Sequence, residues 1–189
     1  MKFNIIYADP PWSYNDKMSG HSFSLDHEYP TMSLKDIKDL KVSDLADKDS
    51  ALFLWATSPL LPEALDVMTS WGFKYKTVAF CWSKYTKNGK EVSNLGKWTM
   101  GNVELLLLGV RGKPQRQAKN IKQLIKHLRE GHSKKPDEAR DRIVQLMGDL
   151  PRIELFARQT SPGWVSLGNG IDGKDIRIAI DEQLSRSID

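Results

Sequence analysis

The feature that most constrains the fold is a set of short, almost continuously apolar runs along the 189-residue chain. Three of them are unambiguous, at Phe3–Ala8, Ala51–Ala56 and Val103–Val110. Runs of this length without polar alternation are typical of strands that are buried on both faces of a sheet. Weaker runs predict further strands at Phe73–Trp82, Arg152–Ala157 and Trp164–Leu167.

Helical patterns separate these runs. A capping pattern of Ser33 and Asp36 predicts a short helix that ends at about Leu40. Longer helices are predicted for Pro62–Gly72 and Pro136–Gly148, each with a proline in its first turn and a glycine at its end. Strands that alternate with helices predict an α/β fold with a mostly parallel sheet flanked by helices. Ligands of such sheets bind beyond the carboxyl ends of the strands.

Three segments interrupt this pattern. Residues 13–30 and 84–100 are polar and contain glycine, and we expect them to be loops that contact the substrate. Residues 115–129 allow two interpretations, because apolar residues recur there at helical spacing while Ile121–Ile125 also fits a strand. The length of the chain predicts a single domain over residues 1–189.

The charge of the chain is unevenly distributed. Residues 111–135 hold nine Lys or Arg residues and one acid, Glu130, which gives the segment a charge of +8. The other 19 basic and 23 acidic residues leave −4 for the rest of the chain. A localised basic stretch indicates a polyanionic partner, although a solvated surface explains the charge pattern equally well.

Composition excludes several other classes of protein. The single cysteine, Cys81, rules out an internal disulfide and a zinc site built from cysteines. The four histidines lack the spacing of metal ligands, so we expect no metal. No apolar stretch approaches the length of a membrane span and no leader opens the chain, so we expect a cytoplasmic protein without membrane contact.

The sequence Asp9-Pro10-Pro11-Trp12 directly follows the first apolar run. Its carboxylate lies at the end of a strand, and the two prolines stiffen the backbone and remove two N–H donors. The tryptophan adds an aromatic surface that can stack on a planar ring. A rigid pair of acceptors beside a stacking surface suits an exocyclic amino group with two hydrogens to donate. A proline-rich turn next to a core tryptophan fits the four residues equally well.

A resemblance separates these two interpretations. The four residues resemble the catalytic motif of amino-methyltransferases, in which Asp is typical of adenine enzymes and Ser is common in cytosine enzymes. Further segments are similar, in the same order, to the MT-A70 family, which includes the catalytic subunit of the eukaryotic mRNA adenine methyltransferase and many small bacterial and phage proteins. These segments are Tyr29–Ser33, Phe53–Thr57, Trp71–Phe73, Lys135–Glu138, Glu154–Arg158 and Trp164–Asn169.

The resemblance implies a permuted Rossmann-like, class I methyltransferase fold, with the catalytic strand first and the cofactor strand last. It implies S-adenosylmethionine as the cofactor, with Lys135 reaching its methionine carboxylate and Asp9 near its amino end. Arg158 is then expected to hold the ribose hydroxyls, while Phe156 lines the pocket and Asn169 contacts the adenine or the ribose. A lysine directly before a helix also suits an anion on elementary grounds.

Some positions depart from the family pattern. The amide that usually follows Gly-Asn is Gly170 here, so one ribose contact is expected to be lost. Thr160 and Ser161 stand where the mRNA enzyme offers His and Asn to the ribose, and we assign both to the cofactor site. The adenine end of the cofactor pocket is therefore the part that the resemblance constrains least.

On the substrate side, Tyr29 matches a loop tyrosine that closes near the target base, and Glu104 matches an acidic position near the acceptor pocket. A core aromatic residue and an ion pair at a strand end are the alternative interpretations of these two positions. His132 lies close to Lys135 in the sequence, and a structural role is favoured for it.

The expected reaction is methylation of the exocyclic amino group of adenine in nucleic acid, with Asp9-Pro10-Pro11-Trp12 as the catalytic residues and Trp12 stacked on the base. DNA is favoured over RNA, because small stand-alone members of the family are more often associated with bacterial or phage DNA. Three alternatives stay open, namely an RNA adenine methyltransferase, an inactive nucleic-acid-binding paralogue and an enzyme with a different amino acceptor. A homodimer or a heterodimer is equally compatible with the sequence.

Overall fold

The structure is a computed structural model, which describes residues 1–13, 31–96, 98–131 and 134–186. The strands are β1 (Phe3–Ala8), β2 (Ala46–Ala56), β3 (Lys74–Tyr85), β4 (Val103–Arg111), β5 (Leu124–Leu128), β6 (Arg152–Leu155) and β7 (Val165–Leu167). The helices are α1 (Leu34–Lys38), α2 (Val42–Leu45), α3 (Leu61–Ser70), α4 (Glu138–Met147), α5 (Asn169–Asp172) and α6 (Ile176–Ser185). A short 3-10 turn at Ser58–Leu60 precedes α3.

The seven strands form one sheet in the order β5-β3-β4-β2-β1-β6-β7. Strand β1 runs parallel to β2 and to β6, and the pairs β6–β7 and β3–β5 are also parallel. Strand β4 is antiparallel to both of its neighbours, β2 and β3. Parallel neighbours need a crossover connection, whereas β4 follows β3 through a reversing segment. The predicted α/β fold with a mostly parallel sheet flanked by helices is confirmed.

Each face of the sheet carries its own hydrophobic core. On β1, Phe3, Ile6 and Ala8 pack on one face with side chains of α1, α2, α3 and α6. Ile5 and Tyr7 point to the other face and pack with side chains of α4. Because side chains alternate along a strand, a run that is apolar at nearly every position requires cover on both faces.

Several predicted elements are confirmed in detail. Strand β1 has its predicted bounds, and the Ser33 hydroxyl caps α1 by accepting from the backbone N–H of Asp36 at 3.1 Å. The ambiguous segment 115–129 contains β5, so its helical interpretation is wrong. Its buried Ile125 lies opposite Trp82 in a parallel pairing with the end of β3, and that tertiary contact decides between the two patterns.

Other bounds differ from the prediction. Strand β2 begins at Ala46 rather than at Ala51, because Ala46 pairs with Phe3 of β1 and Ser50 pairs with Arg111 of β4. Strand β3 reaches Tyr85, so the loop predicted for 84–100 is observed at residues 86–102. The loop predicted for 13–30 lies outside the described residues except at Ser13. No helix in the described part of the chain is long and apolar enough to cross a membrane.

Candidate active site

The Asp9–Trp12 motif forms a tight turn directly beyond the carboxyl end of β1. The backbone N–H of Trp12 donates to the Pro10 carbonyl at 2.9 Å, and the N–H of Met32 donates to the Pro11 carbonyl at 3.1 Å. The indole N–H of Trp12 donates to the Trp55 carbonyl at 3.2 Å, which fixes the half-buried ring at the end of β2. Each proline carbonyl keeps a second lone pair, because a carbonyl oxygen can accept two hydrogen bonds.

A chain of alternating charges leads away from Asp9. Its carboxylate lies 3.2 Å from the Lys135 ammonium, which in turn lies 2.9 Å from the Glu104 carboxylate. The other oxygen of Glu104 is 2.5 Å from the Lys84 ammonium. The side chains of Lys135 and Glu104 are only 11% exposed, so water screens this cluster weakly. The four residues bring together the ends of β1 and β3, the start of β4 and the segment before α4.

Burial and neighbouring charges shift the pKa values of this cluster in different directions. Burial raises the pKa of Asp9 above its ordinary value, and the nearby ammonium of Lys135 opposes that rise only in part. Burial also acts to raise the pKa of Glu104, but Lys135 and Lys84 together outweigh it and hold that pKa below the ordinary range. For Lys135, burial acts to lower the pKa, and the two carboxylates reverse the effect and raise it. Lys135 is therefore a permanent cation between two carboxylates.

A pocket of about 230 Å³ opens beside this cluster. It lies where β1 and β6, which are parallel neighbours, both end. Its lining residues come from these two strand ends, from the segment that leads into α4 and from the first turn of α4, and they are mostly charged. They are Tyr7, Asp9, Lys134, Lys135, Asp137, Arg140, Glu154, Phe156, Arg158 and Gln159. Four of the predicted site residues, Asp9, Lys135, Phe156 and Arg158, are thus brought to one pocket.

A buried ion pair that the sequence analysis missed forms one wall of the pocket. Arg140 donates to both oxygens of Glu154, at 2.7 and 2.8 Å, and its guanidinium lies 5.6 Å from the centre of the Tyr7 ring. Burial raises the pKa of Glu154, and Arg140 opposes that rise. The available signal was a glutamate in the middle of an apolar strand, since charged residues are almost never fully buried without a partner.

Phe156 reaches the pocket through an unusual backbone conformation. Its φ of 61° lies in the left-handed region, which few bulky residues adopt. This conformation ends β6 at Leu155, one residue before the aromatic side chain that lines the pocket, and Arg158 follows two residues later. Backbone strain that persists at such a position is typical of functional sites.

The remaining predicted cofactor residues do not line this pocket. The described residues that line the pocket do not include Thr160, Ser161 or Asn169. The departure at Gly170 has a steric reason, because a Cβ built there would lie 2.7 Å from the Cα of Arg158. The family's usual amide would therefore collide with the backbone that carries a pocket residue.

The other residues considered for the site lie either outside the pocket or outside the described residues. Glu104 contacts Lys135 rather than the pocket, so its predicted place near the acceptor stays a prediction. Tyr29 and His132 lie outside the described residues. Among the residues that the structure describes, no group of histidine, cysteine and carboxylate side chains could hold a metal ion.

The basic segment 111–135 is not one uniform surface. Arg111 donates to the backbone and hydroxyl of Ser43 at the amino edge of the parallel strands, and Lys135 lies inside the site at the opposite edge. Between them, six basic side chains are exposed: Lys113, Arg116, Lys119, Lys122, Lys126 and Arg129.

The sheet has the architecture of a Rossmann-like methyltransferase fold. Comparisons with known proteins give the family, since the sequence profile named MT-A70 matches residues 3–170. The chain is 36% identical to the Type II methyltransferase M.MunI of Mycoplasma sp, over 94% of this chain and 81% of that protein. It is 29% identical to the human N(6)-adenosine-methyltransferase catalytic subunit METTL3 over 91% of this chain.

The chain belongs to the MT-A70 family. It spans only 29% of the length of human METTL3, and 24% of the N(6)-adenosine-methyltransferase MT-A70-like protein of Arabidopsis thaliana, to which it is also 29% identical. The resemblance inferred from the short motifs is confirmed over nearly the whole chain.

Proposed function

We propose that this protein transfers a methyl group from S-adenosylmethionine to the exocyclic amino group of adenine in DNA. The observation that carries the proposal is the convergence of Asp9 and Lys135, in direct contact, with Phe156 and Arg158 in one pocket at the carboxyl ends of β1 and β6. In this proposal, the carboxylate of Asp9 accepts hydrogens of the target amino group on one side and borders the cofactor pocket on the other.

The pocket residues fit the methionine end of the cofactor. That end carries a carboxylate, an amino group and a positively charged sulfur, and the pocket walls offer both signs of charge. The ammonium of Lys135 has three N–H donors, of which Asp9 and Glu104 occupy two, so one can bind the carboxylate. Asp9 and Glu154 supply negative charge for the cationic groups. The aromatic ring of Phe156 and the guanidinium of Arg158 suit the nucleoside part.

The residues of the turn then activate the acceptor. The lone pair of the amino nitrogen of adenine is delocalised into the ring, so the nitrogen is a weak nucleophile. Asp9 and the second lone pair of the Pro10 carbonyl accept its two hydrogens and localise the lone pair on the nitrogen. Pro11 stiffens the turn, and Trp12, anchored on β2, offers its exposed side to the base. The bound cofactor supplies an electrophilic methyl group on a cationic sulfur.

This arrangement accelerates the reaction through orientation and electrostatics, without a covalent intermediate on the enzyme. Formation of the new carbon–nitrogen bond would break the bond between the methyl carbon and sulfur and leave a neutral thioether, and the amino nitrogen would release one proton to Asp9 or to water. A base stacked inside a duplex cannot reach such a pocket, so the target adenine must be extruded or single-stranded.

DNA is proposed over RNA on the basis of the relatives. The identity is higher with the type II methyltransferase, of which the chain covers 81%, than with the N(6)-adenosine-methyltransferases. The exposed basic residues between Lys113 and Arg129 would bind phosphates, and binding would weaken steeply with salt.

The test is a labelling experiment with the purified protein and tritiated S-adenosylmethionine. DNA and RNA are each supplied single- and double-stranded, and the products are digested to nucleosides and identified by mass spectrometry. We expect N6-methyladenine in DNA. Methylcytosine, or no methylated nucleoside in a protein that binds the cofactor by calorimetry, contradicts the proposal. Label in RNA alone contradicts the choice of DNA.

A further inference from the structure

An exposed apolar tip rises from the same edge of the sheet as the candidate active site. We call residues 86–102, which connect β3 to β4, the arm. The side chains of Leu95, Trp98 and Met100 on the arm are 95%, 98% and 60% exposed. Three large apolar side chains that are exposed within six residues of one loop indicate contact with another molecule. No function described above uses these three residues.

The arm has a defined shape. Asn94 and Gly101 exchange two backbone hydrogen bonds, at 2.8 and 2.9 Å, which close the chain between them into a tip loop. Nearer the sheet, the N–H of Val92 donates to the Lys84 carbonyl at 2.9 Å and the N–H of Lys84 donates to the Asn102 carbonyl at 3.2 Å. The tip is therefore held on two paired stems rather than on a free linker.

The base of the arm is joined to the proposed acceptor site through a chain of ion pairs. Lys84 and Glu104 flank the arm, and Glu104 is joined to Asp9 through Lys135. Trp98 is three residues from Gly101, so its Cα lies within about 11 Å of the base of the loop. The arm rises from the same edge of the sheet as the Asp9 turn, because β3 and β1 end at that edge.

The charge of the arm decides between possible partners. The arm contains three lysines and one glutamate, which gives it a charge of +2. A symmetric contact between two copies of the chain would bring two such arms together, and like charges repel. A nucleic acid offers phosphates for the lysines and flat bases for the tryptophan.

We propose that Trp98 is a wedge that enters duplex DNA and occupies the space left by the extruded adenine. The inference rests on the proposed function, and it names the duplex as the natural form of the substrate. An apolar side chain placed between base steps stabilises unstacked DNA, which favours extrusion of the target. Trp98 acts on extrusion rather than on the reacting atoms, so it is a positioning residue.

The test compares two forms of one substrate. Parent protein and the Trp98→Ala variant receive a pool of random-sequence DNA duplexes and the same pool as separated strands, with tritiated cofactor. Stacking of one base on an aromatic side chain corresponds to about 5-fold to 150-fold in affinity. We therefore expect the ratio of duplex rate to single-strand rate to fall about fivefold or more. Trp98→Phe should restore most of the ratio.

A matched control is Tyr75→Ala, which removes another exposed aromatic side chain at the opposite end of β3. It should keep the parent ratio. An unchanged ratio for Trp98→Ala overturns the wedge, and so does an equal loss on both pools, which would mark a general contact. A fall in molar mass of Trp98→Ala by light scattering would show that the tip joins two copies, and also overturns it. A parent protein inactive on both pools refutes the proposed function itself.

Discussion

Replacement of Glu104 by glutamine tests whether the charge cluster beside Asp9 holds the site together. In the parent protein, Glu104 forms ion pairs with both Lys84 and Lys135, which are only 14% and 11% exposed. Glu104→Gln keeps the shape of the side chain and removes its charge. The variant then holds two nearly buried ammonium groups with Asp9 as their remaining carboxylate.

The magnitude follows from the geometry. At N–O distances of 2.5 and 2.9 Å, each of the two pairs contributes about 6 kcal/mol of attraction at an effective dielectric constant of 20. Burial of the Glu104 carboxylate costs several kcal/mol and offsets part of this attraction. Loss of one partner from such a cluster should lower the free energy of unfolding by about 3–5 kcal/mol. For a chain of this size, that corresponds to a fall in Tm of about 6–20 °C.

The assay is urea denaturation followed by circular dichroism, with thermal melting as a second measurement. The control is Glu91→Gln, which removes an exposed glutamate of the arm and should change the free energy of unfolding by less than about 0.5 kcal/mol. The double variant Glu104→Gln/Lys84→Met removes the surplus cation and should regain at least about 1 kcal/mol. A shift in Tm of less than about 2 °C for Glu104→Gln would refute the reasoning.

Three further predictions follow from other parts of the site. Gly170→Ala should lower Tm because its Cβ meets backbone atoms, whereas Gly101→Ala, which meets nothing within 4 Å, should not; equal melting temperatures would contradict this. Arg140→Met leaves Glu154 buried and unpaired and should cost about 3–5 kcal/mol in urea denaturation, so an unchanged midpoint refutes it. Asp9 must be ionised to accept hydrogens, and burial raises its pKa above the ordinary aspartate value of 3.8. We therefore expect kcat to fall on the acid side at a pH above 3.8. A kcat that is constant down to that pH would exclude this role.

Much of the fold could be predicted from local patterns. Strand β1 and the cap of α1 have their predicted positions, because the apolar run and the Ser33 side chain act within a few residues of sequence. Helix α6 was missed although the signal was present, since Asp175 caps it and Ile176, Ala179 and Ile180 are buried at helical spacing. The direction of β4 depends on how the arm reverses, which no periodicity encodes.

Candidate site residues that belong to a recognisable motif could be expected from the sequence. The resemblance assigns Asp9 and Lys135 to one site, and the structure brings them into direct contact, which depends on tertiary packing. The pair of Arg140 and Glu154 was missed because its members lie on different elements and only meet when α4 covers the sheet. The left-handed backbone at Phe156 could not be predicted, since nothing in the residue type favours it.

The most direct test of the central claim is the Asp9→Ala variant, assayed for transfer of tritium to adenine-containing DNA and for binding of S-adenosylmethionine by calorimetry. Lys135 keeps Glu104 as a partner in this variant, so the pocket should persist. We predict a fall in kcat of about 100-fold or more, with cofactor binding largely retained. If Asp9→Ala labels the DNA as fast as the parent protein, Asp9 does not activate the amino group and the account is wrong.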